Sequence, residues 1–252
     1  GGIWTGDNAS TWEMLRQNVY HMPSLHMCGF LFSGADTGGF GGNCTRELLL
    51  RWLAVSVFTP LMRNHTALFT RNQECYRFRN PEDFKGIVTL RYRLLPYLYS
   101  EFMKAALERD MMIRPLAFDY PEDEKARSIE DQLLVGESVM IAPVLEKGAK
   151  GRIVYLPERM TEVRYAGGEF TCMEVGAGER TVMAPLDQVV FYIRQGKLVP
   201  VGKAAANTAE LDLMDVELLG TGTCYRQYVD DGYTKDCTLN RCVVRTKETR
   251  PQ

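Results

Sequence analysis

The sequence predicts an α/β part followed by a β part: the last strands and helices of a (β/α)8 TIM barrel, then C-terminal β-sandwich domains. Two observations carry this. Over residues 1–112, strand-like apolar runs alternate with helix-like segments, and each run ends in a polar loop, the alternation of parallel β/α units. After Met112 the pattern changes to closely spaced short strands separated by Gly turns, as in a sandwich. Three β/α units are legible where a closed barrel has eight, so the reading is the end of a barrel.

Taken in order, Ser10-Thr11-Trp12-Glu13 reads as a capping box with Ser10 as the cap. A helix should follow to about His21, with Trp12, Leu15 and Val19 on one face. Cys28 to Ser33 reads as a short apolar strand that delivers Asp36 beyond its end. Thr45 caps a second helix carrying Leu48, Leu49, Trp52 and Val55. A strand from Thr59 to Met62 delivers Arg63 and His65. Asn80 caps a long helix with Pro81 at its first position, running to about Glu108 and bent at Pro96. Beyond it the candidate strands are Val139–Val144, Arg152–Leu156, Glu162–Tyr165, Phe170–Cys172, Val182–Ala184 and Val189–Ile193, with turns at Gly167-Gly168 and Gly176-Ala177-Gly178. A further β-rich stretch covers Leu211 to Val244, with Asp230-Asp231-Gly232 read as a hairpin turn. The expected domains are residues 1–112 (barrel), 113–196 (proximal β-sandwich) and 197–252 (start of a distal β domain), with Lys247 to Gln252 loose.

Composition narrows the function classes. The formal charge is −2 over 252 residues, with Lys and Arg scattered, so there is no electrostatic footprint for nucleic acid. No apolar run approaches the roughly 20 residues that span a bilayer, so neither nucleic acid nor a membrane is an expected partner. The seven cysteines are odd in number and lack a Cys-x-x-Cys pair. They read as reduced thiols rather than a disulfide framework, which points to the cytoplasm. Asn-x-Ser/Thr sequons at Asn8, Asn43 and Asn64 read as accidental. The chain has no initiator Met, signal peptide or transit segment, and is expected to open in mid-loop. His21 and His26 lack metal-ligand partners at suitable spacing and read as structural.

Three segments carry the chemistry. Trp4-Thr5-Gly6-Asp7-Asn8 places an aromatic face near an acid on a Gly-hinged turn, an arrangement suited to a sugar and its glycosidic oxygen. Gly34-Ala35-Asp36-Thr37-Gly38-Gly39-Phe40-Gly41-Gly42 lies between an apolar run and a helix, and Arg51-Trp52 opens a stretch ending in Arg63-Asn64-His65. In this order and spacing the segments resemble glycoside hydrolase family 31, the retaining α-glucosidases. The resemblance continues through Leu90–Tyr99, Arg114-Pro115-Leu116, Gln132–Gly136 and Ala142-Pro143-Val144, with a weaker echo at Tyr228–Gly232.

The resemblance implies a role for each residue. Asp7 matches the acid/base. Asp36 matches an acid that orders the site and its Arg partner, and Arg63 matches a residue ion-paired with the equivalents of both Asp7 and Asp36. Phe40 and Trp4 would line the sugar pocket, and His65 would donate to sugar hydroxyls. Retaining glycosidases need a second carboxyl about 5–5.5 Å away. The family places that nucleophile in a Trp-x-Asp-Met-Asn-Glu type of segment on an earlier strand, and no such segment occurs in this chain. In Arg71–Cys75, Cys75 stands where the family often has Pro. The expectation is therefore the C-terminal part of an exo-acting retaining α-glucosidase acting on α-glucoside oligosaccharides. Its nucleophile would come from the missing N-terminal part, and neither cofactor nor metal is implied. The alternatives are an α-xylosidase of the same family and, in another class, a non-catalytic carbohydrate-binding protein, against which Asp7 argues because binding alone needs no acid there.

Overall fold

The structure is a computed structural model that describes residues 2–247; residues 248–252, most of the segment expected to be loose, lie outside the described residues. The chain opens with β1 (Ile3–Trp4), α1 (Trp12–Met27), β2 (Ser33–Gly34), α2 (Arg46–Ser56) and α3 (Pro81–Glu108). β1 and β2 pair in parallel, Ile3 opposite Ser33 and Trp4 opposite Gly34. A third segment joins them: the Leu61 N–H donates to the Ser33 carbonyl (3.1 Å), and Asp36 and Arg63 face each other in a parallel bridge. Three parallel segments thus lie side by side with helices between them.

The helices form where the local signals are strong. Thr45 accepts from the Leu48 N–H and starts α2. That helix is apolar nearly all round, with Leu48, Leu49, Leu50, Trp52 and Leu53 buried, because layers cover it on more than one side. α3 begins at Pro81 and ends at Arg109 in the left-handed region. It buries Phe84, Ile87, Leu90, Leu94, Tyr97 and Leu98, and runs through Pro96, whose carbonyl accepts from Ser100 Oγ at 2.6 Å.

Five expectations need correction. Asn80 does not cap α3 with its side chain; it lies at φ +54°, in the left-handed region, and Pro81 alone marks the start. Thr59 to Met62 forms no regular strand, and its segment joins β2 only through the Leu61 N–H bond to Ser33 and the isolated Asp36–Arg63 bridge. Ser10 does not cap α1: its N–H is taken by the Gly41 carbonyl (2.7 Å), so the helix starts a residue later, with Thr11 accepting from Met14 N–H. The apolar run from Cys28 is not a strand, since Gly29 at φ +84° and the Phe30 N–H bond to Leu25 O complete the exit from α1, which itself extends to Met27. Asp230-Asp231-Gly232 is no tight hairpin. The two strands it was to join are separated by residues 229–241, and Asp231 folds the intervening loop locally by accepting from Tyr233 and Thr234 N–H.

The remaining segments are β3 (Ile113–Pro115), two short helices α4 (Leu116–Asp119) and α5 (Glu124–Ser128), β4 (Leu133–Val135), β5 (Val139–Ile141), β6 (Gly151–Leu156), β7 (Met160–Ala166), β8 (Glu169–Val175), β9 (Gly178–Met183), β10 (Val189–Arg194), β11 (Leu198–Gly202), β12 (Val216–Gly220), β13 (Cys224–Tyr228) and β14 (Cys242–Thr246). An antiparallel six-stranded sheet has the order β3-β4-β5-β10-β7-β8. Strand alternation divides its side chains: Leu133, Val135, Val139, Phe191 and Ile193 join the core with the three major helices, while Leu134, Met140 and Tyr192 join a second core with Val154 and Leu156 of β6 and Val182 of β9. The β6–β9, β11–β12 and β13–β14 pairs are antiparallel. One apolar cluster runs from Leu15 through α2 and α3 to Val201 and Tyr225, so the helices and the β region share a core. All seven cysteines are unpaired.

Candidate active site

The polar residues singled out from sequence follow the C-terminal ends of the parallel segments. β1 leads into Asp7, β2 into Asp36 and Phe40, and the third segment into Arg63 and His65. Gly34 is required at the crossing, because any side chain there would be driven into the Leu61 carbonyl.

Asp36 and Arg63 form the best-defined contact. Arg63 Nε donates to Asp36 Oδ1 at 2.6 Å, and the Arg63 carbonyl accepts from the Thr37 N–H at 2.8 Å. Asp36 is 0% exposed, and its Oδ2 has no hydrogen-bond partner among the described residues. The Arg63 guanidinium carbon lies 5.7 Å from the centre of the Trp4 ring, within cation–π range. Arg63 is therefore held between the indole and the buried carboxylate. Among the described residues its ion pair is with Asp36 and not also with Asp7; Asp36 stands opposite it in register, whereas Asp7 sits on an exposed turn. Phe40 and His65 also come together, with ring centres 5.2 Å apart and planes at 34°. The His65 and Asp7 side chains are exposed and Phe40 is half-buried.

Buried amides tie these loops to one another. The Asn8 carbonyl accepts from the N–H groups of Phe40 (2.7 Å) and Gly41 (2.9 Å). Asn8 Nδ2 donates to the carbonyls of Thr5 and Gly6, and its Oδ1 accepts from Asn18 on α1 and from Thr5 Oγ. These bonds occupy the Asn8 amide, which makes it a poor glycan acceptor in the folded chain. Gly39, at φ +88°, passes so close to Ser10 that a Cβ would lie 2.6 Å from its backbone nitrogen. Gln73 holds the other side: its buried Nε2 donates to the Thr37 carbonyl (2.9 Å), the Gly39 carbonyl (3.2 Å) and Asn64 Oδ1 (3.2 Å), while Asn64 Nδ2 donates to the Gln73 carbonyl (2.8 Å). Asn18 and Gln73 were not anticipated from sequence. Their signal is weak, an amide on a helix face and one in a polar loop, because the carbonyls they serve are distant in the chain.

Cys75, which stands where the resembling family often has Pro, is half-buried, and burial pushes its thiol pKa up. His26 is buried on α1 and its Nδ1 accepts from the Ile113 N–H at 3.1 Å, a structural role. His21 is exposed. No cluster of His, Cys, Asp and Glu capable of holding a metal occurs among the described residues, and no described helix is long and apolar enough to cross a membrane. The loops after the parallel segments thus pair Trp4 with Arg63, Arg63 with Asp36 and Phe40 with His65, and leave the Asp7 side chain exposed.

Residues 1–101 match the glycosyl hydrolases family 31 TIM-barrel domain, and residues 109–199 match the glycosyl hydrolase family 31 C-terminal domain. The chain is 35% identical over 238 residues to alpha-glucosidase 2 of Bacillus thermoamyloliquefaciens, covering 92% of this chain and 30% of that protein. It is 36% identical over 226 residues to the lysosomal alpha-glucosidase of Rattus norvegicus, covering 83% of this chain and 24% of that protein. Among solved structures, a glucosidase II alpha subunit superposes with a TM-score of 0.83 at 28% identity, over 97% of this chain and 27% of that one. The family 31 alpha-xylosidase of Xanthomonas citri gives 0.77 at 27% identity, over 92% and 27%. The chain thus spans less than a third of the length of these relatives.

Proposed function

The chain belongs to glycoside hydrolase family 31, and from that premise we propose that it carries the acid/base half of the catalytic pair of an exo-acting retaining α-glucosidase. The observation that carries the proposal is the parallel register of the three segments, which sets Asp7, Asp36 and Arg63-His65 beyond strand ends on one side, the face where barrel enzymes hold their catalytic groups.

In this reading residues 1–112 supply the last three units of the (β/α)8 barrel. The β region from 113 to 196 is a β-sandwich, supported by the two cores on either face of its six-stranded sheet, and residues 197–252 begin a distal β domain. A carboxylate from a segment outside this chain attacks C1 while Asp7 gives its proton to the glycosidic oxygen. The C1–O bond breaks and a covalent glycosyl ester forms. Asp7, now a carboxylate, takes a proton from water, which attacks C1, releases the nucleophile and leaves the sugar with its original α configuration. Trp4 and Phe40 offer apolar faces to the sugar, His65 donates to its hydroxyls, and Asp36 holds Arg63 in place. Neither metal nor cofactor takes part. The seven free thiols support a reducing compartment, the cytoplasm.

A second reading, α-xylosidase, is favoured by the likeness to the Xanthomonas citri enzyme. It turns on whether the sugar C6 group is accommodated. Hydrolysis of p-nitrophenyl α-glucoside and α-xyloside by the full-length protein, followed by proton NMR, tests both points. The proposal expects preference for the glucoside and α-glucose as first product. A preference for the xyloside would select the second reading, and β-glucose as first product would exclude the retaining mechanism.

A further inference from the structure

Phe69 is 96% exposed and Leu68 beside it is 81% exposed. Phe69 also has φ +68°, a left-handed conformation that is unfavourable for a bulky residue. Nothing on its own turn repays that conformation by burying the ring. Yet the turn is firmly built. Thr70 N–H and Oγ both donate to the Ala67 carbonyl, at 3.3 and 2.7 Å, and the Thr66 and Thr70 hydroxyls are 2.6 Å apart. Beyond it the Arg71 N–H donates to Asn43 Oδ1 at 2.7 Å. The surroundings over-determine an apolar tip that points away from the core, and such outliers gather where a ligand is met.

The tip's position says which ligand. The Phe40 carbonyl accepts from the Ala67 N–H (2.9 Å) and Thr66 Oγ (3.3 Å), while the Phe40 N–H is bound to the carbonyl of Asn8, next to Asp7. Two backbone hydrogen bonds therefore connect the Asp7 turn to the Phe40 loop and the Phe40 loop to the Leu68-Phe69 turn. Asp7, as proton donor to the glycosidic oxygen, marks the leaving-group side of the scissile bond. We infer that Leu68 and Phe69 form an apolar platform for the leaving-group sugar of a maltose-type substrate, with Phe69 determining how strongly that sugar is held. The inference rests on the reading of Asp7 given above.

Phe69→Gly in the full-length enzyme tests it, with maltose and α-glucosyl fluoride as substrates, because fluoride is too small to reach a platform. The expected result is a loss of roughly 5- to 20-fold in kcat/KM for maltose, with the fluoride changed by less than about twofold. Phe69→Trp should keep the maltose rate. Tm of Phe69→Gly should stay level or rise, since Gly accepts the positive φ. Equal losses on both substrates, a fall in Tm, or no change on maltose would each overturn the platform. Failure of the wild-type enzyme to cleave either substrate would instead remove the glucosidase reading itself.

Discussion

Asp36 and Arg63 meet across a parallel bridge and are joined by a 2.6 Å hydrogen bond, with the second carboxylate oxygen of Asp36 buried and unmatched by any described group. A buried carboxylate in that state orients its one donor strongly, and removing it leaves Arg63 without an anchor. Asp36→Asn in the full-length enzyme should therefore lower kcat/KM by about 2–4 kcal/mol. Arg63 is partly exposed, so stability should fall by less than activity. A double-mutant cycle with Arg63→Gln should show the two losses to be strongly non-additive; additive losses would mean the pair does not act as a unit.

His65 stands against Phe40, two residues after Arg63. His65→Ala should cost roughly 1–3 kcal/mol in kcat/KM, the range for losing a hydrogen bond to a bound hydroxyl. Steady-state kinetics on maltose indistinguishable from wild type would remove it from the sugar site.

Gln73 bonds Thr37, Gly39 and Asn64 through one buried nitrogen. Gln73→Leu keeps the bulk but strands two carbonyls, and should reduce stability by about 1–3 kcal/mol. Denaturant unfolding measures this. Loosening of the Asp36–Phe40 loop should also lower kcat more than it raises KM for the smallest substrates.

The family and the parallel β/α alternation were legible in the sequence, whereas several local details of the frame were not. Helix starts at Thr45 and Pro81 were readable because capping and the first-turn proline act within a few residues. The exit of α1 was not, because an apolar run such as Gly29-Phe30-Leu31-Phe32 suits a strand or a helix terminus equally, and only the Phe30 N–H bond to Leu25 decides. Ser10 was assigned the cap that Thr11 makes because its competing partner, Gly41, is remote in sequence. The short strands β3, β4 and β11 escaped for the same reason: each owes its extended form to pairing across the sheet. Asp7, Asp36, Arg63 and His65 were singled out through ordered motifs, and the structure pairs Asp36 with Arg63, whereas Asn18 and Gln73 serve carbonyls that no local pattern reveals.

His26 predicts a specific acid sensitivity. Burial lowers its pKa from 6.5 to about 4, and its Nδ1 is already occupied by the Ile113 N–H while Nε2 is buried without a partner among the described residues. The unfolded chain binds the proton first. Stability from this residue is complete above about pH 6.5, declines as pH falls toward 4 and is lost below it, a total of about 3 kcal/mol. His26→Gln, which retains an acceptor but cannot titrate, should flatten the stability curve between those values. A curve of unchanged slope would show that His26 does not carry this part of the acid response.

In the proposed mechanism Asp7 is the acid/base and the nucleophile lies on a segment outside this chain. Asp7→Ala in the full-length enzyme, assayed with an aryl α-glucoside bearing a strongly acidic phenol and with added azide, tests it most directly. Cleavage of maltose should nearly stop, because a sugar leaving group needs the proton, while the activated phenol departs without it. The glycosyl-enzyme should then accumulate, and azide, which needs no base, should restore turnover and yield the α-glucosyl azide. A β-glucosyl azide would make Asp7 the nucleophile, and undiminished hydrolysis of maltose would contradict any catalytic role for it.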